Sequence, residues 1–570
     1  MRILLLTHSF NSLTQRLFAE LRADGHELSV EFDINDTVAQ EAVDLFAPEL
    51  ILAPFLKRAV PESIWRQHLT LIVHPGIVGD RGPSALDWAI MNGETEWGVT
   101  VLQAEAEMDA GPVWATHPFP MRAATKASLY RNEVTEAALA AVREAIARVP
   151  EWRTHDWQPT PLADWPDARG QWRDLMRQSD RRIAWSADTT ATVLAKIRAA
   201  DGFPGVADAL FEQPCHLFDA RPGPVQLGAT PGKVVGRGGT ALLRATVDGA
   251  VWIGHVKRAG GEQPFKLPAT HAFADETAQL PEIADEGEIR YRESDDGAVG
   301  VLSFDFYNGA MSTDQCRGLE SAIRDAATRQ TRVLVLEGGR DFWSNGIHLN
   351  TIETAASPAD ESWANINAMN DVCLALLTMT GKLTVAALRG NAGAGGCFLA
   401  LAADEVWART GVVLNAHYKN MGNLFGSEYW TYLLPKRVGG EGASAIMNDR
   451  LPLLARVAVA TGLIDACFGD SMADFEADVS KRARALADAD DLQKRLAAKQ
   501  AGRAADEADK PLATYRDEEL QHMQRNFFGF DPSYHVARYH FVAKTPQSWT
   551  PRHLARHRDI GWQRPKAEVA

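Results

Sequence analysis

Short apolar runs alternate with amphipathic stretches through the first part of the chain. RILLL at 2–6, ELSVEF from Glu27, ELILA at 49–53 and TLIVH at 70–74 have strand length, and Leu13–Leu21 carries a helical pattern between the first two. That rhythm predicts a mostly parallel sheet covered by helices. His74 then falls at the C-terminal end of its strand, where open α/β sheets place ligands. Pro75 and Gly76 turn the chain, Ser84 opens a helix over 84–92, and 98–103 reads as a further strand before Asp109 enters a Gly-Pro turn. The first strand is not followed by GxGxxG, so an ordinary dinucleotide fingerprint is missing.

The pattern changes further along. Residues 160–185 are rich in Pro, Trp, Arg and Asp and read as a surface linker. A helix follows from Thr190, with Val193 and Ile197 on its apolar face and Gly202 as its stop. Runs at 224–230, 241–249 and 250–258 alternate enough for a small β-rich unit. After a charged stretch a new core begins near Val299, with strands expected at 300–307, 331–339 and 383–388 and helices at 314–324 and 397–403. This order predicts repeated β–β–α layers. Beyond about 475, alanine and mixed charges predict long helices, and an aromatic-rich segment from Gln524 is expected to fold back onto the body.

Composition narrows the class. At ~150 residues per domain, 570 residues suggest about three or four domains. Lys and Arg total 59 against 74 Asp and Glu, a formal charge of −15, which argues against broad attraction to nucleic acid or an anionic membrane. The five cysteines are widely spaced with no CxxC, so neither a disulfide framework nor a thiolate zinc site is expected, and no other metal-ligand motif stands out. The N-terminus lacks a signal-peptide pattern and no apolar run approaches ~18 residues, so a reducing, cytoplasmic location without a membrane span is expected.

Three sets of residues suggest chemistry. A histidine and a carboxylate brought together, His74 with Asp109, can move a proton while the imidazole is held in one orientation; the alternative is a structural His beside a capping Asp. Thr7, His8 and His117 could line the same mouth, as solvated strand-end groups or as functional ones. Lys233, Arg237 and Lys257 could meet phosphate, though lone basic loop residues are usually only solvated. Two glycine-containing turns, Arg340–Leu349 and Arg389–Gly396, lack the GK[ST] of a P-loop. Backbone N–H groups converging from both can hold a thioester oxygen; tight turns and close helix packing would equally account for the glycines. Tyr418 and Glu428 lie across another glycine-containing turn, where a carboxylate beside a phenol in an apolar cleft can be tuned for acid–base work. The plainer reading makes them a packed aromatic and a charge at a helix N-terminus.

The first module resembles the folate-dependent formyltransferases, through His74, Pro75, Arg81–Gly82, Gly93, Gly98–Thr100, Asp109 and Gly111, in order. IRAADGFPGV at 197–206 resembles the start of that family's C-terminal domain. The resemblance implies 10-formyltetrahydrofolate as one-carbon donor, His74 and Asp109 assisting attack on the formyl carbon, and Ile72, Arg81 and Gly82 at the donor site. Ile72 stands where the family has Asn, so the amide that would polarise the formyl oxygen is absent.

The later module resembles the crotonase superfamily (enoyl-CoA hydratases and isomerases) through Phe342, Gly346, Ile347 and Leu349, and through Gly390 to Gly396. His348 replaces the usual Asp and Arg389 the usual Asn. The resemblance implies a coenzyme A thioester, an oxyanion hole from the N–H groups of Ile347 and Gly395, and further ligand contacts at Arg340, Gly346, His348, Arg389 and Gly390. Phe398 occupies the position of the family's first catalytic Glu, and the second falls near Tyr418, so hydration of an enoyl group is not expected.

The two modules together resemble the HypX/HoxX family of hydrogenase-maturation proteins over nearly the whole chain. The fold class so implied is multidomain α/β: a Rossmann-like formyltransferase domain at 1–160, a linker and small β-rich domain at 161–285, a crotonase-like β–β–α spiral at 286–475 and a helical extension at 476–570. The implied activity is formyl transfer to coenzyme A, internal passage of the pantetheine arm, and decarbonylation of formyl-CoA to carbon monoxide for nickel–iron hydrogenase. Glu428 is the expected proton acceptor, with Tyr418 positioning it or protonating sulfur. The implied partner is the hydrogenase maturation machinery or large-subunit precursor. The alternatives are a formyltransferase that releases no carbon monoxide and a non-catalytic maturation scaffold.

Overall fold

Leu4, Leu5, Leu50, Ile51 and Leu71 are fully buried, and they lie on the strands of the first sheet. These strands are β1 (Arg2–Thr7), β2 (Glu27–Phe32), β3 (Leu50–Phe55), β4 (Thr70–His74), β5 (Glu96–Gln103) and β6 (Val113–Pro120). Their order is β2-β1-β3-β4-β5-β6; the first four run parallel, and β5 and β6 are antiparallel to their neighbours. A computed structural model describes every residue except 226–227, 261–263, 560 and 563–570. The chain forms two compact units, Met1–Asp285 with Pro546–Ala570, and Glu286–Thr545.

The second sheet of the first unit is antiparallel. It comprises β7 (Val206–Leu210), β8 (Gln213–Pro222), β9 (Val234–Gly238), β10 (Ala241–Ala245), β11 (Ala250–Arg258) and β12 (Lys266–Pro268), in the order β7-β8-β11-β10-β9 with β12 on β11. The strand expected at 224–230 does not form over its described residues, where Pro224 has no N–H to give a ladder; Gln226 and Leu227 lie outside the described residues. The strand expected at 241–249 stops at Ala245. Residues 160–185 are not a surface linker throughout. Gly170 N–H donates to Val78 O (3.0 Å), Arg81 N–H to Gln171 O (3.2 Å) and Arg173 N–H to Arg81 O (2.9 Å), so this segment straps the loop after β4. Ser84 precedes the helix Ala85–Met91 without capping it; its Oγ accepts instead from the Met176 N–H of the strap at 3.1 Å.

The end of the chain also belongs to this unit. Val30 N–H donates to Leu554 O (3.0 Å) and Phe32 N–H to Thr550 Oγ1 (2.8 Å), which closes the outer edge of β2. Between them Glu31, fully buried, accepts from His557 Nε2 (2.9 Å), Arg558 Nε (2.6 Å) and the Thr550 hydroxyl. Residues 476–570 therefore do not form a single extension.

The second unit holds β13 (Ile289–Glu293), β14 (Val299–Phe304), β15 (Val333–Glu337), β16 (Phe342–Ser344), β17 (Leu383–Leu388), β18 (Asn391–Gly393), β19 (Glu405–Arg409), β20 (Val413–Asn415), β21 (Leu453–Leu454) and β22 (Ala466–Phe468). One sheet runs β13-β14-β15-β17-β19-β22 and the other β16-β18-β20-β21. Successive β-strand pairs β15–β16, β17–β18 and β19–β20 each contribute one strand to either sheet, which is the β–β–α layering expected from the sequence. The strand expected at 300–307 ends at Phe304, and a turn with Asn308 at φ 58° follows. Helices Met472–Ala487, Leu492–Asp509, Leu512–Phe528 and Ser533–Ala543 complete the unit. Met523, Phe527 and Tyr534 reach its core, whereas Phe528, Phe530, Tyr539 and Phe541 are exposed. Among the described residues no helix is long and apolar enough to cross a membrane, and no cluster of His, Cys, Asp and Glu could hold a metal.

Candidate active centres

In the first unit, β4 delivers a buried His74 at its C-terminal end. Its ring lies between two carboxylates, Nε2 3.1 Å from Asp80 Oδ1 and Nδ1 3.5 Å from Asp109 Oδ2. Asp109, with φ 54°, also accepts from the Gly82 N–H at 3.1 Å. Gly76 is required where it stands, because a Cβ there would run into the His74 ring and Asp80. Burial disfavours the imidazolium, but the Asp80 hydrogen bond and the charges of Asp109 and Asp80 outweigh it, so the His74 pKa lies above its ordinary value. Such an imidazole accepts a proton readily and keeps its orientation.

Asp80 is itself buried, and its Oδ2 has no hydrogen-bond partner; Arg173 Nε, from the strap, stands 3.5 Å away as an ion pair. Ile72, half-buried, shares the His74 face of β4. Arg81 pairs with Glu107 at the surface. Of the other residues considered for this mouth, His8 pairs with Asp33 (2.8 Å), Thr7 bonds Phe55 O (3.2 Å), and His117 lies against Glu144 (3.2 Å) on β6. Lys233 and Lys257 are exposed.

The second centre lies wholly in the other unit. Gly346 follows β16, and Gly395 opens the helix Gly395–Leu401 after β18. The two come together closely enough that a Cβ on Gly346 would stand 3.3 Å from the Gly395 nitrogen. Gly395 N–H belongs to a first helical turn, which has no intrahelical acceptor. His348 caps the helix Leu349–Thr354, its Nδ1 accepting from Thr351 N–H at 3.2 Å, and its own N–H donates to Asn365 Oδ1 at 3.0 Å. Arg389 holds the Gly338 carbonyl through Nε (2.9 Å) and pairs with Glu476 (3.1 Å), while Gly390 crosses tightly over Arg340 and Asp341.

Glu428 and Tyr418 are both buried beside these turns. Tyr418 donates its hydroxyl to Glu428 Oε2 at 2.6 Å, Ser427 N–H donates to the same oxygen at 3.1 Å, and no described residue donates to Oε1. Tyr418 stacks on Phe398 with ring centroids 5.4 Å apart, and Phe398 lies in the core. Burial pushes the Glu428 carboxyl up to about 8, the Tyr418 hydrogen bond opposes the rise, and the charge of Glu519 adds to it. Burial and then the Glu428 charge hold the Tyr418 hydroxyl well above its ordinary value. Glu428 is thus not a surface charge at a helix start; φ is 60° both there and at Tyr429. Asn370 and Glu519, both fully buried, bond this loop and were not singled out from the sequence.

Two different enzyme-like modules on one chain, a formyltransferase-like one and an enoyl-CoA hydratase/isomerase-like one, define the class of protein. Residues 24–146 match the formyl transferase family, 175–264 the formyl transferase C-terminal domain and 301–552 the enoyl-CoA hydratase/isomerase family. The chain is 55% identical to hydrogenase maturation factor HoxX of Bradyrhizobium diazoefficiens, covering 98% of this chain and 97% of that one. It matches the crystal structure of HypX from Aquifex aeolicus in complex with tetrahydrofolic acid with a TM-score of 0.93 and 46% identity, over 99% of this chain and 100% of that one. Methionyl-tRNA formyltransferase of Dechloromonas aromatica is 27% identical over 34% of this chain and 58% of its own length. The chain belongs to the HypX/HoxX family of hydrogenase maturation factors.

Proposed function

We propose that this chain makes carbon monoxide for nickel–iron hydrogenase, in the cytoplasm, by moving the formyl group of 10-formyltetrahydrofolate to coenzyme A and then decarbonylating formyl-CoA. The single observation that supports it best is Glu428: a buried carboxyl with a raised pKa, one oxygen held by Tyr418 and the other beside the Gly346–Gly395 turns. A hydratase has no use for that arrangement with Phe398 in place of a Glu.

In the first step the thiol sulfur attacks the formyl carbon and the carbon–nitrogen bond to the folate breaks. His74, between Asp80 and Asp109, takes the thiol proton and returns it to the leaving nitrogen. The bound tetrahydrofolic acid of the Aquifex relative supports a folate donor here. In the second step the N–H groups of Ile347 and Gly395 polarise the thioester oxygen and Glu428 takes the formyl hydrogen as a proton. The carbon–sulfur electrons leave with sulfur, carbon monoxide departs, and the proton returns to the thiolate through Tyr418. The sum is formyl-CoA to carbon monoxide and coenzyme A. Cys316, Cys373 and Cys397 are buried with thiol pKa values raised by burial, so none of these three competes as a thiolate.

Ile72 favours a second reading, because it lacks the amide donor expected of a formyltransferase. On that reading the chain stops at formyl-CoA, passes the formyl group to another acceptor, or serves as a scaffold for a hydrogenase precursor. Purified protein with labelled 10-formyltetrahydrofolate and coenzyme A, and a haem protein as trap, separates them. Labelled carbonyl-haem is expected; labelled formyl-CoA or formate in its place, or precursor binding without turnover, overturns the favoured reading.

A further inference from the structure

The loop that carries Glu428 has an unusual backbone. Gly426, Glu428 and Tyr429 have φ of 91°, 60° and 60°, a left-handed sequence that non-glycine residues adopt only when their surroundings hold them. Two side chains do the holding. Asn370 Oδ1 accepts from Glu428 N–H (2.7 Å) and from Ser427 Oγ (3.0 Å). Glu519, on the helix Leu512–Phe528 of the C-terminal part, accepts from Tyr429 N–H (3.0 Å) and Ser427 Oγ (3.2 Å) on one oxygen. Its other oxygen accepts from Thr431 N–H (2.8 Å) and Thr431 Oγ1 (2.6 Å). Glu519 is fully buried and has no cation among these partners.

We propose that Glu519 is a positioning residue of the carbon monoxide-forming centre: it fixes the loop 427–431 so that the Glu428 carboxyl faces Gly395. This rests on the decarbonylase reading above. A purely structural anchor would need no carboxylate, since four donors facing a buried group could be met by backbone carbonyls or water. A carboxylate near another carboxylate costs electrostatic energy, and the Glu428 proton is held more tightly as a result. The helical part thereby acquires a task in the reaction.

The test compares the parent with E519Q, which keeps size and shape, and E519A, which does not. Labelled formyl-folate and coenzyme A are supplied, and formyl-CoA and trapped carbon monoxide are followed separately across pH. In E519Q, formyl-CoA is expected to accumulate, carbon monoxide release to fall about 10-fold or more in kcat with little change in KM, and the pH of half-maximal release to move down. E519A should lose release further. Unchanged kcat and pH profile in E519Q, or a loss in KM alone, overturns the proposal. A parent that forms formyl-CoA but no carbon monoxide overturns the decarbonylase reading and this inference with it, and is told apart because the variants are not then the cause.

Discussion

The Cα of Gly395 lies so close to the Glu428 carboxyl that a methyl group added there would collide with Oε1. The helix start proposed to offer an N–H to a thioester oxygen is therefore also the surface against which the candidate base rests. Gly395→Ala should displace the carboxyl and cut carbon monoxide release about 100-fold, while the fold survives. Product trapping checks the first part and circular dichroism the second; full activity would separate the two groups functionally.

Glu428→Gln keeps volume and removes the proposed base. Coenzyme A binding, measured by calorimetry, should be largely unchanged while carbon monoxide release falls by about 100-fold or more. Release that continues at the parental rate would assign the proton to another group.

The raised Glu428 carboxyl has a consequence for stability. Its proton is held up to about 8 in the folded chain against an ordinary 4.5, so the folded state binds more protons in that window. Its contribution is complete below about 4.5 and is lost as pH rises through about 8. The parent should thus lose more thermal stability than Glu428→Gln between those limits, read as the difference of their melting temperatures at each pH.

At the first centre, Asp80→Asn should move the His74 titration down, since burial then meets less opposing charge. NMR of the imidazole carbon-bound protons reads the shift. Formyl transfer to coenzyme A should slow by about 10-fold or more, because the imidazolium loses one of its two stabilising charges. An unmoved titration would leave Asp109 as the controlling charge.

Glu31→Gln tests the docked chain end. Replacing the buried carboxylate weakens its bonds to His557 and Thr550 while Arg558 keeps its pairing with Glu41, at a cost of about 1–3 kcal/mol. The unfolding transition of the first unit in urea should shift accordingly, with His557 and Arg558 left facing an amide.

Much of this was legible in the chain because burial on both faces writes itself as continuous apolar runs. LILAPF, VLVLE and LTVAAL read as strands without help, and their spacing gave the layering. His74 and Asp109 were legible as a pair, the one from its place at a strand end and the other from the Gly-Pro turn after the next strand. Asp80 was not: GDRG reads as an ordinary turn, and only the return of the 170–173 backbone buries it. That return was hidden because Pro, Trp, Arg and Asp describe a polar segment equally well when Arg181 is buried and paired with Asp87. Glu519 was hidden differently. In a helix rich in charge one Glu looks like its neighbours, and nothing local marks the one that faces four donors.

The docking of residues 550–558 on β2 also orders events in the making of the protein. The ribosome delivers the β1–β4 framework early, yet the partners of Ser29, Val30, Glu31 and Phe32 leave it more than 500 residues later. Until then the sheet carries an open border with an unneutralised glutamate in it. The border of β2 thus stays open while the residues between it and 550–558 are synthesised.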